Sequence, residues 1–148
     1  MRIRTGTTLA ALVALAALTT ACGGGSSPPA ATPTSSPTVF SGPRPASTGA
    51  LTIVSPKNGQ VVRGSTVVLK IDLQGARIVP VTSTALKPDE GHIHVSLDDQ
   101  LISMTTGTEL QIPNVAPGHH LLTVEFVATD HGPFDPRVVA IASFTVKG

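Results

Sequence analysis

An immunoglobulin-like antiparallel β-sandwich of about seven strands, hence an all-β fold, is what residues 50–148 predict. Three observations carry that expectation. β-Branched runs alternate apolar and polar with period two; Pro, Gly, Asn and Asp clusters interrupt them about every 8 to 12 residues; and no stretch sustains a 3.6-residue period. About 100 residues bury a workable core without disulfides, so the lack of cysteine in this part argues only against an antibody-type Cys…Trp…Cys core.

Each element follows from the local pattern. Leu51–Val54 reads as a short strand, and Pro56-Lys57-Asn58-Gly59 as a tight hairpin turn, Asn-Gly supplying the positive-φ positions, before a strand at Gln60–Val62. After Arg63-Gly64, the run Ser65–Leu73 points Val67, Leu69, Ile71 and Leu73 one way. Gly75–Glu90 is irregular, with a short edge strand around Ile78–Thr82. His92–Asp98 turns Ile93, Val95 and Leu97 inward; Gln100–Met104 and Thr108–Ile112 are weaker strands. Pro117-Gly118 launches His120–Thr129, with Leu122, Val124, Phe126 and Ala128 inward, and Arg137–Val146 closes the domain on Ala140, Ala142, Phe144 and Val146.

Ahead of this lie two segments of different composition. Residues 1–21 read as an export signal: Arg2 and Arg4, then an apolar run from Leu9 to Leu18 that is too short to span about 30 Å of hydrocarbon. The stretch Thr19-Thr20-Ala21-Cys22 resembles a bacterial lipoprotein signal, cut before a cysteine that is then lipidated; Thr19 stands where such signals usually carry an apolar residue. The resemblance implies a protein lipid-anchored at Cys22 on the outer face of the cell membrane. The alternative is a plain secretory signal cut at the same bond. Residues 22–49 are the tether: Gly23–Gly49 contains six Pro, five Gly and six Ser and cannot bury a core. Coiled or extended, it reaches from roughly 30 to about 80 Å.

Charge and aromatic content exclude two partner classes. The net charge is +1, but from residue 50 onward seven Lys/Arg face nine Asp/Glu, so the domain has no basic stripe for phosphates and nucleic-acid binding is not expected. With no Trp, no Tyr and four Phe, it cannot build aromatic platforms for carbohydrate. Cys22 is the sole cysteine, so once it is acylated neither a disulfide nor a thiolate metal site remains.

A further set of motifs, Ile53-Val54-Ser55-Pro56…Gly59, Gly91-His92-Ile93-His94-Val95-Ser96-Leu97-Asp98, Pro117-Gly118-His119-His120-Leu121-Leu122 and Asp130-His131…Pro133…Pro136, resembles a family of small exported bacterial domains of unknown function with a Gly-His-His-His-Leu-Leu-Ile-Asp run. The resemblance covers about residues 51–146, and Ile93 replaces the family's third His. It implies a fold and a location, not a chemistry.

Five histidines, with no cysteine in the domain, suggest a metal, and strand pairing divides them. The His92 strand should lie antiparallel to the His120 strand, which sets His92 and His94 near His131 and leaves His119 and His120 on the order of 30 Å away. His92, His94 and His131 are the candidate ligands for copper or zinc, with Asp89, Glu90, Asp130 and Asp135 from the same end as supports. The competing reading has these rings as a hydrogen-bonded polar face. His120, in the position of a sandwich's corner tyrosine, should bond to nearby backbone; His119 should point outward. Asp98-Asp99 reads as a turn rather than a calcium site.

No G-x-S-x-G, S-x-x-K or H-E-x-x-H motif and no phosphate-cradling Gly loop is present, so the expected activity is non-catalytic. The expected docking surface is the outward row Leu121, Val127, Val139 and Ile141, apolar where a solvated sheet face should be polar, unless the register is off by one. The chain therefore reads as an envelope lipoprotein with a non-catalytic binding or accessory module, or else as an envelope copper or zinc binder.

Overall fold

The computed structural model describes residues 42–148; the expected signal, Cys22 and most of the tether lie outside them. Among the described residues nine strands form two facing sheets: β1 Ala50–Ser55, β2 Gln60–Arg63, β3 Val67–Gln74, β4 Arg77–Ile78, β5 Glu90–Leu97, β6 Gln100–Thr105, β7 Glu109–Ile112, β8 Gly118–Ala128 and β9 Pro133–Lys147. The smaller sheet runs β1-β3-β7, all antiparallel. The larger runs β2-β9-β8-β5-β4, with β6 also paired to β5. This is the expected immunoglobulin-like sandwich. Among the described residues no helix is long and apolar enough to cross a membrane.

The period-two pattern sets the core. Val67, Leu69 and Ile71 from β3 face Ile93 and Val95 from β5, Leu122, Val124 and Phe126 from β8, and Phe144 and Val146 from β9. All are buried, and the Phe126 and Phe134 rings stack with centroids 5.3 Å apart. Asp98 and Asp99, with φ of 50° and 65°, make the two-residue turn between β5 and β6, as expected of that acidic pair.

Two expectations about chain path change. Pro56–Gly59 does not close a hairpin: β1 pairs with β3 in one sheet, while β2 lies parallel to β9 in the other. The turn carries the chain between sheets. Asn58 takes part by accepting the Ser143 backbone N–H and hydroxyl at 3.0 and 2.8 Å, just before β2 begins. The folded unit also starts before Ala50. Arg44 donates to Pro133 O and to both oxygens of Asp130, the Asp135 N–H donates to Pro45 O, and the Thr48 hydroxyl donates to Gly75 O. Residues 44–49, expected in the tether, are thus fastened to the domain.

Candidate functional site

Strand register brings His92, His94 and His131 together at one end of the larger sheet. His92 and His94 lie on the outer face of β5, opposite Val127 and Glu125 of β8. His131 follows β8 in a left-handed conformation, φ 63°, an unusual backbone state for a residue with a side chain. Its N–H donates to Ala128 O, and the Gly132 N–H donates to Asp130 Oδ1, so the turn is closed by its own backbone and carboxylate. It carries the imidazole back over β5.

The three rings do not surround a common point. His92 and His131 stack face to face, with centroids 4.4 Å apart and planes 11° from parallel. Imidazole lone pairs lie in the ring plane, so stacked rings cannot direct them at one ion. His94 and His131 meet differently. Nε2 of His94 lies 3.2 Å from Nδ1 of His131, and the centroids are 5.5 Å apart with planes inclined by 17°. The centroid distance is close to the N···N distance plus two ring radii, so these rings meet edge to edge in one hydrogen bond. Among the described residues no group of three or more His, Cys, Asp and Glu is arranged to hold a metal. The expected three-imidazole set therefore reduces to an in-line pair with a third ring stacked behind it.

Three of the four expected supporting carboxylates, Asp130, Glu90 and Asp89, are engaged elsewhere. Asp130 is gripped by Arg44 at 2.6 and 2.8 Å, which holds its carboxyl at about 2. Glu90 pairs with Lys87 and then Arg77, which hold its pKa below the usual carboxylate value, and Asp89 lies 3.8 Å from Arg77. Glu125, beside His94, is bound by Arg137 Nε at 2.8 Å. Burial, and then the charge of His131, push the pKa values of His92 and His94 down, so both rings favour the neutral form. His92 is 4% exposed, and among the described residues its buried Nδ1 has no hydrogen-bond partner.

A cleft of about 150 Å³ opens beside these rings, bordered by His92, His131, Thr82, Met104 and Thr105. Nε2 of His131 lies 3.5 Å from Thr82 Oγ1. Met104 went unremarked in the sequence. Register pairs it directly with His94, and it is 60% exposed. A second, mostly apolar concavity of about 280 Å³ lies between β6 and β7 and has no titratable side chain in its lining.

The other two histidines are structural. His120 Nε2 donates to Ala116 O at 2.8 Å, the backbone bond expected of a corner residue, and Nδ1 binds Asp98 Oδ2 at 2.7 Å. His119 lies outward against the Thr145 hydroxyl.

Of the expected docking row, Leu121, Val139 and Ile141 are exposed, at 39%, 37% and 60%. Val127 is not: it is 2% exposed. The β8–β9 register shifts between Phe126 and Val127, so the strict alternation behind the expectation ends there. Segment 79–83 then closes over this end, since the Val79 N–H donates to Gly91 O and the Ser83 N–H to Thr129 O. Leu101 and Met104 join the face instead, because a shift between Val95 and Ser96 turns both outward, opposite Ser96 and His94.

No family model matches the chain, so the likeness to the exported domain family rests on the quoted motifs alone. No curated protein matches it either. Among solved structures, the chain is similar to fibronectin(III)-like modules of Clostridium thermocellum CbhA, with 22% identity over 66% of this chain and 94% of that one, TM-score 0.49. It is also similar to the PKD domain of human KIAA0319, with 14% identity over 74% of this chain and 89% of that one, TM-score 0.41. An endo-beta-1,4-mannanase from Thermotoga petrophila matches with 14% identity over 68% of this chain but 20% of its own, TM-score 0.45.

Proposed function

We propose that the chain is a membrane-anchored, non-catalytic module of the bacterial cell envelope that docks a partner protein on the outer face of its larger sheet. The observation that carries this reading is the composition of that face. Two cross-strand rows run Met104–His94–Glu125–Val139 and Leu101–Ser96–Thr123–Ile141, with Leu121 beside Ser143. Leu101, Met104, Leu121, Val139 and Ile141 are all exposed; the charges nearest these rows, Glu125 and Arg137, are paired with each other, and Arg63 and Lys147 stand at the far end of the face. A charge-poor face with apolar flanks suits a partner protein surface that is itself low in charge. The anchor rests on Cys22 after the apolar run, and the non-catalytic reading on the absence of nucleophile motifs.

A photo-crosslinking residue at Ile141 in intact cells should give one discrete adduct that Val139→Asp abolishes. The same probe at Thr52, exposed on the smaller sheet, should give none. Equal labelling from both positions, or an adduct indifferent to Val139→Asp, would overturn the docking face; an adduct of twice the chain's mass would make the partner a second copy. Cys22→Ala should move the protein from the membrane fraction to the medium, and retention on the membrane would overturn the anchor.

A second reading, an envelope copper or zinc binder, draws on one observation, the contact between His94 and His131.

A further inference from the structure

We infer that His94, His131 and Met104 form a site for a single Cu(I) ion, an inference that rests on the metal reading and narrows it to one ion and one donor set. The His94 and His131 nitrogens face each other nearly in line at 3.2 Å. Two imidazole–metal bonds of about 2.0 Å laid end to end span about 4 Å, so the pair need open by only about 0.8 Å to hold a linear two-coordinate ion. A d¹⁰ monovalent ion adopts that geometry, whereas Zn(II) demands a tetrahedron of donors. His92, stacked on His131 with planes 11° apart, directs its lone pairs alongside the axis and so backs the site without joining it.

The donor chemistry points the same way. Asp130, Glu90 and Glu125 are each paired with a cation and, among the described residues, no carboxylate lines the cleft, so the donors at hand are uncharged: two imidazoles and the thioether of Met104. Imidazole serves several transition metals, and the soft thioether beside the pair is the donor that favours a soft monovalent ion. Met104 sits directly across from His94 on the same face, with Cβ atoms about 5 Å apart, and borders the cleft that His131 also lines. Its exposed, unbranched side chain has the freedom to swing onto the ion as a third ligand.

Protons balance without redox chemistry. One nitrogen of the contact carries the shared hydrogen, and on binding that ring moves it to its other nitrogen, leaving both imidazoles neutral. Thr82 Oγ1, 3.5 Å from His131 Nε2, is placed to receive the N–H that keeps His131 Nδ1 bare. The ion enters as Cu(I) and stays Cu(I).

The test is an anaerobic titration of the full chain carrying Cys22→Ser, so that no thiol competes, against a colorimetric Cu(I) chelator, with a parallel Zn(II) titration. One Cu(I) per chain is expected. His94→Ala and His131→Gly should each weaken Cu(I) binding at least tenfold, and Met104→Leu about tenfold with Zn(II) binding unchanged; His119→Ala should change nothing. Glycine is chosen at position 131 because it fits the left-handed backbone, and denaturant midpoints would confirm that each variant folds. Failure of the parent chain to compete for Cu(I) overturns the proposal, as does a loss in His119→Ala equal to that in His94→Ala. Zn(II) or Cu(II) binding that needs His92 and ignores Met104 would also overturn it, while leaving the broader metal reading standing.

Discussion

Arg44 grips both carboxylate oxygens of Asp130 across 86 residues of sequence, with side chains only 13% and 19% exposed. The clamp binds the chain entering the domain to the turn that presents His131. Charge-assisted bidentate bonds of this kind contribute about 2 kcal/mol. Arg44→Ala should therefore lower unfolding stability by about that amount. The pair also sets an acid limit. Asp130 is lowered from 3.8 to about 2, so its contribution is complete above the unfolded value and is lost as pH falls through the interval to about 2. Urea titrations at pH 7 and pH 3 should show a drop in the parent chain that is smaller in Asp130→Asn. An equal drop in both would remove the clamp as its cause.

Where stability and site placement come from local pattern, the sequence carried the information. The alternation in β3, β5, β8 and β9 placed Leu69, Val95, Val124 and Phe144 in the core, and antiparallel pairing of β5 with β8 gathered His92 and His94 near His131. What stayed hidden depends on non-local geometry. Arg44 stands amid Pro, Gly and Ser, and nothing in that composition reports a partner at position 130. The shift at Phe126/Val127 and the cover of segment 79–83 are likewise properties of paired strands, and a single strand's periodicity cannot contain them. The ring geometry around His131 follows from one positive φ; only the short Asp130-His131-Gly132 turn hinted at it.

Gly91 shows how closely β5 and β8 approach at that shift. A Cβ there would clash with Val127 O and meet the Phe126 ring at 2.9 Å. Backbone cannot yield as a side chain tip can, so Gly91→Ala should cost about 3 kcal/mol or more, read as a fall in the denaturant midpoint. It should also disturb His92 and its neighbours, because the two strands would have to separate. A change under about 1 kcal/mol would mean that the strands are not held this close.

The docking face and the buried end of the same sheet should respond oppositely to charge. Val127→Asp places a carboxylate where the side chain is 2% exposed and should cost more than about 3 kcal/mol. Ile141→Asp, at 60% exposure, should stay within about 0.5 kcal/mol. Thermal unfolding of the two variants checks this directly. Comparable losses in both would place Ile141 in the core and remove it from any interface.

His120 supplies a pH dependence of opposite sign to that of Asp130. Its hydrogen bond to Asp98 raises the imidazole pKa more than burial lowers it, and the bond to Ala116 O adds to the rise. The Leu121 N–H and then His120 lower the Asp98 carboxyl. A raised histidine stabilises fully below its unfolded value of about 6.5 and loses that contribution as pH rises through the folded value; a lowered aspartate stabilises above about 3.9 and loses it as pH falls. The pair is thus at full strength between about pH 4 and 6.5. Asp98 is 50% exposed, so solvent screening limits the pair to about 1 kcal/mol. Raising the pH from 6 to 8.5 should lower stability by that amount in the parent chain, and His120→Gln, which keeps a donor but cannot titrate, should flatten the profile. A slope that survives in His120→Gln would assign the dependence to another group.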